Sequence, residues 1–318
     1  MIELRSFSKT PEQALSKSHY YCDYIELIAL CDCDDGVSIS DIYDRFLDDR
    51  RISGIGSDEG SEYSERWSGY ISNWFRELAI REATYGEFYP FTYDGNRLMV
   101  RQEFSVKNKI YVILLLCSML QYIEQYHVLT SLFEKCSLYT MKGYLPDFAE
   151  VHLFGVSSNL NPLFTGSLEN KYKVLAKKLG LTISSKPNVF REHDNGDGGL
   201  DIIAWIPFKD DPNVDRKLIF LGQSAAGKDW RKKQASVERA GNYLIDLPAN
   251  TQNVLFVPYD FRDFERNFSE SGEITSSLIF DRYRMLSLIK VDDFYNGDVR
   301  DTISDIIEYI SNQEEDIV

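Results

Sequence analysis

The chain has 318 residues, a formal net charge of −15 at pH 7 and a hydrophobic share of 43%. A chain of this composition folds around apolar cores, which excludes an intrinsically disordered protein. The acidic charge argues against a protein that coats nucleic acid through its overall field, although a local basic patch can still carry the phosphate contacts of a nuclease.

The sequence favours a cytoplasmic protein with no membrane segment. Its longest apolar run, Ile110 to Cys117, is too short to span a bilayer, and its first residues lack the apolar core of a signal peptide. The cysteines are odd in number, which suits a reducing compartment better than a disulfide framework. One histidine and three cysteines lie close together, but their spacing matches no common zinc site, so we expect thiols there. They are His19, Cys22, Cys31 and Cys33.

The first half of the chain is predicted to be mostly helical. Apolar residues at helical spacing predict helices over 11–30, 38–47, 61–83 and 106–133. The turn residues Asp94, Gly95 and Asn96 predict a small hairpin over 89–102. Helices followed by a hairpin are also found in winged-helix domains, so the sequence suggests a winged-helix-like arrangement.

The second half is predicted to contain a sheet. A segment rich in proline, glycine, serine and asparagine, 142–166, predicts a linker between a helical domain at 1–150 and a second domain at 151–318. The second domain begins with a helix and then alternates strands and helices, which predicts an α+β chain with a central mixed sheet. The predicted elements are a helix at 167–179, strands at 200–208 and 217–221, a basic helix at 230–243, a strand at 253–258, a mixed segment at 274–289 and a helix at 299–310.

Polar side chains stand at the ends of the two central strands. Asp201 follows a glycine-rich turn at the start of the first strand, and Gln223 ends the second strand. Because strands place alternate side chains on one face, we expect these two residues to converge at one edge of the sheet. An acid, an amide oxygen and a nearby lysine, Lys228, suffice to hold a hard divalent cation beside a phosphate.

A local basic segment follows the second of these strands. Between Lys217 and Arg239 the chain has six basic residues and two acidic residues, in a protein that is otherwise acidic. This pattern is compatible with a DNA-facing surface and with a solvated helix face. The residues predicted to contact DNA are Lys228, Arg231, Lys232 and Lys233.

The run GDGGLD, the strand after it and the glutamine before a basic segment resemble the PD-(D/E)xK nuclease superfamily, most closely its Mrr-like branch. The resemblance covers residues 167–259 and implies a restriction-endonuclease-like core. It implies that Asp201 binds the metal ion and that Gln223 stands where most relatives have Asp or Glu. It also implies that Glu169, on the helix before the sheet, is an additional acidic metal ligand.

One position departs from the family pattern. Ala225 stands where the Q-x-K motif has lysine, and Lys228 is the nearest substitute. A lysine side chain spans roughly 6 Å, so the ammonium group of Lys228 could return to the site. The resemblance implies a DNA endonuclease that depends on Mg²⁺ or Mn²⁺ and serves in a bacterial restriction or antiphage system, with the helical first half contacting a protein partner.

Two alternatives stay open. A nuclease fold that has lost its activity could serve in DNA binding or complex assembly, and the missing lysine favours this hypothesis. Residues 222–228 also have the G-x-x-x-x-G-K spacing of a phosphate-binding loop, which would indicate a nucleotide-binding protein. That hypothesis is less favoured because Asp229 replaces the Ser or Thr that ligates magnesium there.

Overall fold

The computed structural model describes most of the chain, namely residues 2–32, 35–52, 58–155, 163–190, 196, 198–208, 217–263, 265–275 and 277–312, with the backbone alone for 58–61. The fold is α+β and contains a five-stranded mixed sheet, as the sequence predicted. Among the described helices, none combines the length and the hydrophobicity of a membrane-spanning segment.

The elements are numbered in chain order. The helices are α1 Ser18–Cys31, α2 Ile39–Asp48, α3 Asp58–Tyr85, α4 Val106–Ser118, α5 His127–Tyr144, α6 Leu168–Leu179, α7 Ser236–Ala240, α8 Arg282–Leu288, α9 Val291–Phe294 and α10 Gly297–Ser311. The strands are β1 Glu3–Leu4, β2 Val37–Ser38, β3 Phe91–Tyr93, β4 Arg97–Val100, β5 Ile123–Glu124, β6 Glu150–Leu153, β7 Thr182–Ile183, β8 Ile202–Ile206, β9 Leu218–Ser224, β10 Leu244–Ile245, β11 Gln252–Phe256 and β12 Ser277–Phe280.

The chain forms two compact units. The first unit comprises Met1–Leu129, Tyr259–Ser269 and Tyr295–Val318, and the second comprises Thr130–Pro258 and Glu270–Phe294. These bounds differ from the predicted domains 1–150 and 151–318, because residues 130–150, with most of α5, join the sheet unit, while Tyr259–Ser269 and α10 join the helical unit. The predicted winged-helix-like arrangement stays a prediction.

The first unit is built on two helices that are buried on almost every side, α1 and α4. The predicted hairpin is confirmed, because β3 and β4 pair antiparallel and the Asp94 carboxylate accepts from the backbone N–H groups of Asn96 and Arg97. The single helix predicted over 106–133 is wrong. The chain leaves α4 at Ser118, pairs β5 with β1 and passes Gln125 at a positive φ of 52°, which a helix cannot contain.

The cysteine-rich segment contributes to the core of this unit. Cys22, Cys31 and Cys117 are buried thiols of this unit, Cys136 is a buried thiol of the second unit, and Cys33 lies outside the described residues. His19 is buried, and its ring packs against the rings of Tyr20 and Phe261. An aromatic environment therefore surrounds the histidine of the rejected zinc pattern.

The second unit is organised around the five-stranded sheet, in the order β12-β11-β9-β8-β6. Strands β12, β11 and β9 are parallel, whereas β8 runs antiparallel to both β9 and β6. The linker predicted at 142–166 is wrong over its first part, because α5 continues to Tyr144 and β6 forms the edge strand beside β8. The prediction missed β6 because its four residues have no partner nearby in sequence.

Helix α6 forms as predicted and covers one face of the sheet. The Ser167 side chain accepts from the backbone N–H of Asn170 at its start, and Gly180 ends it in the left-handed region at φ 69°. Its apolar stripe, including Tyr172 and Leu175, packs on alternate strand residues such as Ile203. Each of these residues is fully buried, so close packing fixes the position of α6 on the sheet.

The basic helix predicted over 230–243 is wrong. The chain forms a 3₁₀ turn, Trp230–Lys233, and then the five-residue α7. The side chain of Gln234 donates to the carbonyl of Glu273 and accepts from the N–H of Thr275. These two hydrogen bonds fix the chain between the 3₁₀ turn and α7 to residues 273–275, and the 3₁₀ turn therefore ends there.

Candidate active site

The two polar residues predicted at the strand ends lie side by side. Asp201 directly precedes β8, and its N–H donates to the Gly222 carbonyl at 2.9 Å. It thereby continues the register of β8 with β9, which places it opposite Gln223. Both side chains are buried, at 6% and 4% exposure respectively.

The Asp201 carboxylate faces a small space at Gly155, just after β6. Its Oδ2 accepts from the Ser224 N–H at 2.8 Å, which fixes the orientation of the carboxylate. Its Oδ1 lies 3.2 Å from the position that a Cβ on Gly155 would occupy. Oε2 of Glu134 lies 3.7 Å from the same position. Two carboxylates therefore border one space that only a residue without a side chain leaves open.

Glu134 is a candidate site residue that the sequence analysis missed. It lies on α5, which packs on β9 through a 2.9 Å hydrogen bond between the hydroxyl groups of Ser137 and Ser224. Residues three apart on a helix share a face, so the same contact directs Glu134 to the sheet. No local motif marks Glu134. Its position at the site depends on the contact between Ser137 and Ser224, which are 87 residues apart in sequence.

A buried lysine lies at the same end of the sheet. Lys171 on α6 is 3% exposed, and its ammonium group donates to the carbonyls of Phe154 and Gly155, each at 3.3 Å. Glu169, two residues earlier, is half-exposed and pairs with Lys173 at 2.7 Å. The structure therefore does not bring the predicted ligand Glu169 to Asp201, because residues two apart on a helix lie on different sides.

The side chain of Gln223 already has a charged partner. Arg239 donates to its amide oxygen and to the backbone carbonyl of Lys232. The arginine stem crosses Gly199, where an added Cβ would lie 2.7 Å from Cδ of Arg239 and where φ is +81°. Gly199 is thus required both by its backbone conformation and by the arginine above it. Gln223 can ligate a metal ion only if Arg239 releases its oxygen.

Lys228 is exposed in the segment that joins β9 to the 3₁₀ turn 230–233. The structure therefore gives two buried or half-buried cations at the sheet end, Lys171 and Arg239, and a solvent-exposed position for the predicted Lys228.

The geometry around 222–228 differs from that of a phosphate-binding loop. Gly222 lies inside β9, opposite Ile202 and Val254, and the strand continues to Ser224. A 3₁₀ turn follows at Trp230 instead of a long helix that begins at Lys228. Within the described part of this segment, no helix N-terminus is therefore available to bind a phosphate.

Two of the four residues predicted to contact DNA have acidic partners. Arg231 pairs with Glu270 at 3.1 Å and with Glu273 at 2.8 Å. Lys232 pairs with Asp229 at 2.9 Å. These ion pairs reduce the positive field of the segment, so its basic character in the sequence overstates its attraction for phosphates.

The oxygen donors at Gly155 suit a hard cation. Asp201 and Glu134 supply two carboxylates to one space, and Mg²⁺ binds in this way while it keeps several water ligands. Among the described residues, no group of three or more His, Cys, Asp or Glu side chains could hold a metal ion. Asp197 of the GDGGLD run lies outside the described residues.

No protein-family model matches the chain, and no curated protein or solved structure matches it. A functional proposal for this chain therefore depends on the geometry of the site and on the motif resemblance.

Proposed function

We propose that the protein is a metal-dependent DNA endonuclease with a restriction-endonuclease-like core, and that its active site lies at Gly155. One observation carries the proposal: the carboxylates of Asp201 and Glu134 border the same space, and the ammonium group of Lys171 donates to the carbonyl of Gly155. Carboxylates with a nearby cation are the groups that phosphodiester hydrolysis requires.

Each residue has a defined part in the proposed chemistry. Asp201 and Glu134 would hold Mg²⁺ or Mn²⁺, which supplies a water of lowered pKa and neutralises charge on the phosphate. The Ser224 N–H holds the Asp201 carboxylate in place, so this ligand needs no reorganisation when the ion binds. Lys171 offsets the developing negative charge from its fixed position on two carbonyls. In this proposal Lys171 has the role that the resemblance assigned to Lys228.

Arg239 completes the proposed site. It is hydrogen-bonded to Gln223 and lies over Gly199, next to the strand end that bears Asp201. A guanidinium group binds phosphate oxygens in a bidentate manner, so an incoming DNA backbone would compete with Gln223 for it. Gln223 then orients Arg239 in the free protein and becomes a metal ligand only when DNA is bound.

The wider setting of the proposal comes from the resemblance. We place the nuclease in the cytoplasm as the effector or a subunit of a restriction or antiphage system, with DNA as substrate and a protein partner bound through residues 1–150. An inactive nuclease fold that binds DNA or assembles a complex is the second candidate. The hydrogen bond from Arg239 to Gln223 favours it, because that bond blocks one predicted ligand.

A cleavage assay separates the two candidates. Plasmid, linear and single-stranded DNA are incubated with the protein in Mg²⁺, Mn²⁺ or EDTA. We expect metal-dependent cleavage that falls by about 100-fold or more in Asp201→Asn and in Glu134→Gln, because each change removes a proposed ligand. Glu169→Gln is the matched control and should cleave at the wild-type rate, since that carboxylate faces solvent.

The outcomes exclude one another. Wild-type cleavage that persists in Asp201→Asn would show that the site is wrong. DNA binding without cleavage under every metal condition would favour the inactive alternative. Loss of cleavage in Glu169→Gln but not in Glu134→Gln would restore the ligand set that the resemblance implied.

A further inference from the structure

A cavity of about 470 Å³ lies within the first unit, beside α3. Its wall follows one face of that helix, because Tyr70, Trp74 and Glu77 lie three or four residues apart. Ser18 at the start of α1 and Asp263 also line it. Aromatic rings and oxygen-bearing side chains thus border one cavity that opens to solvent.

Glu77 is an unusual residue for the buried face of a helix. It is 5% exposed, and its Oε1 has no hydrogen-bond partner among the described residues. A buried carboxyl oxygen without a donor destabilises a fold, because the group has lost its water and gained no bond in exchange. Ser18, another lining residue, already hydrogen-bonds to the carboxyl group, so one of the two oxygens lacks a donor. A ligand in the cavity that donates to this oxygen would remove the cost after a small rotation of the side chain, because the atom is fully buried as it stands.

The ionic groups near Glu77 do not fully neutralise its negative charge. One turn further along α3, Arg81 donates to Asp23 at 2.7 Å and to Glu26 at 2.9 Å, and it lies 3.3 Å from Asp260. A second guanidinium group, that of Arg266, pairs with Asp260 at 3.2 Å. Two guanidinium groups are therefore shared by four carboxylates, Glu77 included. An additional positive charge near Glu77 would be stabilised by this excess of acid.

The residues that line the cavity also include more acidic than basic side chains. Its charged residues are Glu77, Asp263 and Arg76, and Arg76 is exposed to solvent while Glu77 is buried. The buried end of the cavity is thus acidic and aromatic, and the basic group lies towards solvent. This arrangement suits a ligand with a cationic head and a short apolar body.

We propose that this cavity binds a small organic cation, an amine or an amidine, whose N–H group donates to Glu77. Tyr70 and Trp74 pack against the apolar body of the ligand, and Asn73 stands exposed among the lining residues. The site is separate from the space at Gly155 and does not depend on the proposed nuclease activity. It gives the first unit a ligand-binding role of its own.

Three probes of one shape test the charge of the ligand. Benzamidine, benzamide and benzoate have nearly the same size but carry a positive, zero and negative charge. Binding to the full chain is measured at pH 8 by ligand-observed NMR or calorimetry. We expect benzamidine to bind at least about tenfold more tightly than benzamide, the difference that a charge-assisted hydrogen bond produces, and benzoate to bind weakest.

Variants locate the site. Glu77→Gln keeps the shape of the side chain but removes its charge, so benzamidine affinity should fall by about tenfold or more. Glu65→Gln is the matched control on the exposed side of the same helix and should bind as wild type does. Should Glu77→Gln not fold, Asn73→Trp places a bulky ring at an exposed lining position and should block binding in a folded protein.

The pH dependence supplies a second readout. Burial raises the pKa of Glu77 to about 7, while Arg81, Arg266 and the hydrogen bond of Ser18 act to lower it and Asp260 acts to raise it. Benzamidine stays protonated and binds the ionised carboxylate, so its affinity should rise about tenfold from pH 6 to pH 8, and this rise should vanish in Glu77→Gln.

The proposal is overturned if benzamidine shows no measurable binding, if the three probes bind equally, or if Glu77→Gln retains the wild-type affinity. The result of the nuclease assay does not test this proposal, because Asp201 and Glu134 belong to the other unit.

Discussion

At the scale of single residues, Gly155 is the glycine at which an added side chain would enter the proposed metal space. Asp201 and Glu134 both approach the point where its Cβ would lie, at 3.2 Å and 3.7 Å. Gly155→Ala would place a methyl group in the proposed metal space without straining the backbone, because φ there is not positive. We expect metal-stimulated cleavage to fall by about tenfold or more with little change in the thermal unfolding midpoint.

The control for this prediction is a second glycine-to-alanine change. Nothing lies within 4 Å of the Cβ position of Gly69 on α3. Gly69→Ala should leave cleavage unchanged and stabilise the protein by about 0.5–1 kcal/mol, since alanine favours a helix. Equal cleavage by Gly155→Ala and wild type would contradict the proposed metal position.

Glu77 makes a separate prediction about stability. Burial raises the pKa of its carboxyl group from 4.5 to about 7 in the folded state. A raised pKa contributes stability that is present below the unfolded pKa and is lost as the pH rises through 7. Glu77→Gln removes the ionisation, so it should stabilise the protein relative to wild type by about 1–3 kcal/mol at pH 8 and by much less at pH 5.

Urea unfolding of both proteins at the two pH values checks this difference. Glu65→Gln, on the exposed side of α3, should show no such dependence on pH. The same free energy difference at pH 5 and pH 8 would mean that Glu77 does not titrate with a raised pKa in the folded protein.

At the scale of elements, the features that the sequence predicted well are those with local causes. Helix α6 has its cap at Ser167, its apolar stripe and its terminal Gly180 within one short segment. The hairpin of β3 and β4 depends on the turn at Asp94. The strand ends at Asp201 and Gln223 follow from alternation along each strand and the antiparallel pairing of neighbours.

The elements that were missed depend on partners far away in sequence. The break between α4 and α5 is fixed by β5, which pairs with β1 at the start of the chain. The basic segment stays short because Gln234 is anchored to residues near 274. Periodicity describes a segment and cannot include such partners, so it predicted continuous helices in both places.

The residues of the candidate site were likewise predicted where a local motif marks them and missed where their position depends on distant partners. Asp201 was predicted because a motif surrounds it, whereas Glu134 and Lys171 reach the site from helices whose motifs say nothing about a cation or a metal ion. Lys171 lies on a correctly predicted helix, but only the packed sheet determines which side of α6 is buried. The resemblance selected Glu169 on that helix, and the structure directs that side chain to solvent.

At the scale of the whole molecule, the chain passes from the first unit to the second inside α5, between Leu129 and Thr130. It returns to the first unit twice, with Tyr259–Ser269 and with Tyr295–Val318. A division at residue 150 therefore cuts β6 after its first residue and separates α5 from the sheet unit. Both elements carry parts of the proposed active site, namely Glu134 on α5 and Gly155 after β6.

Two fragments test which division describes independent folding. The fragment 163–318 lacks β6, which pairs with β8 from Glu150 opposite Trp205 to Leu153 opposite Ile202. Its loss exposes β8 as an apolar edge strand, so we expect this fragment to aggregate. The fragment 130–294 keeps all five strands and most of α5, and we expect it to stay soluble and unfold cooperatively. Circular dichroism melting and gel filtration of the two fragments measure this. A soluble, cooperatively folded 163–318 would instead support the boundary near residue 150, and β6 would then be dispensable for the sheet.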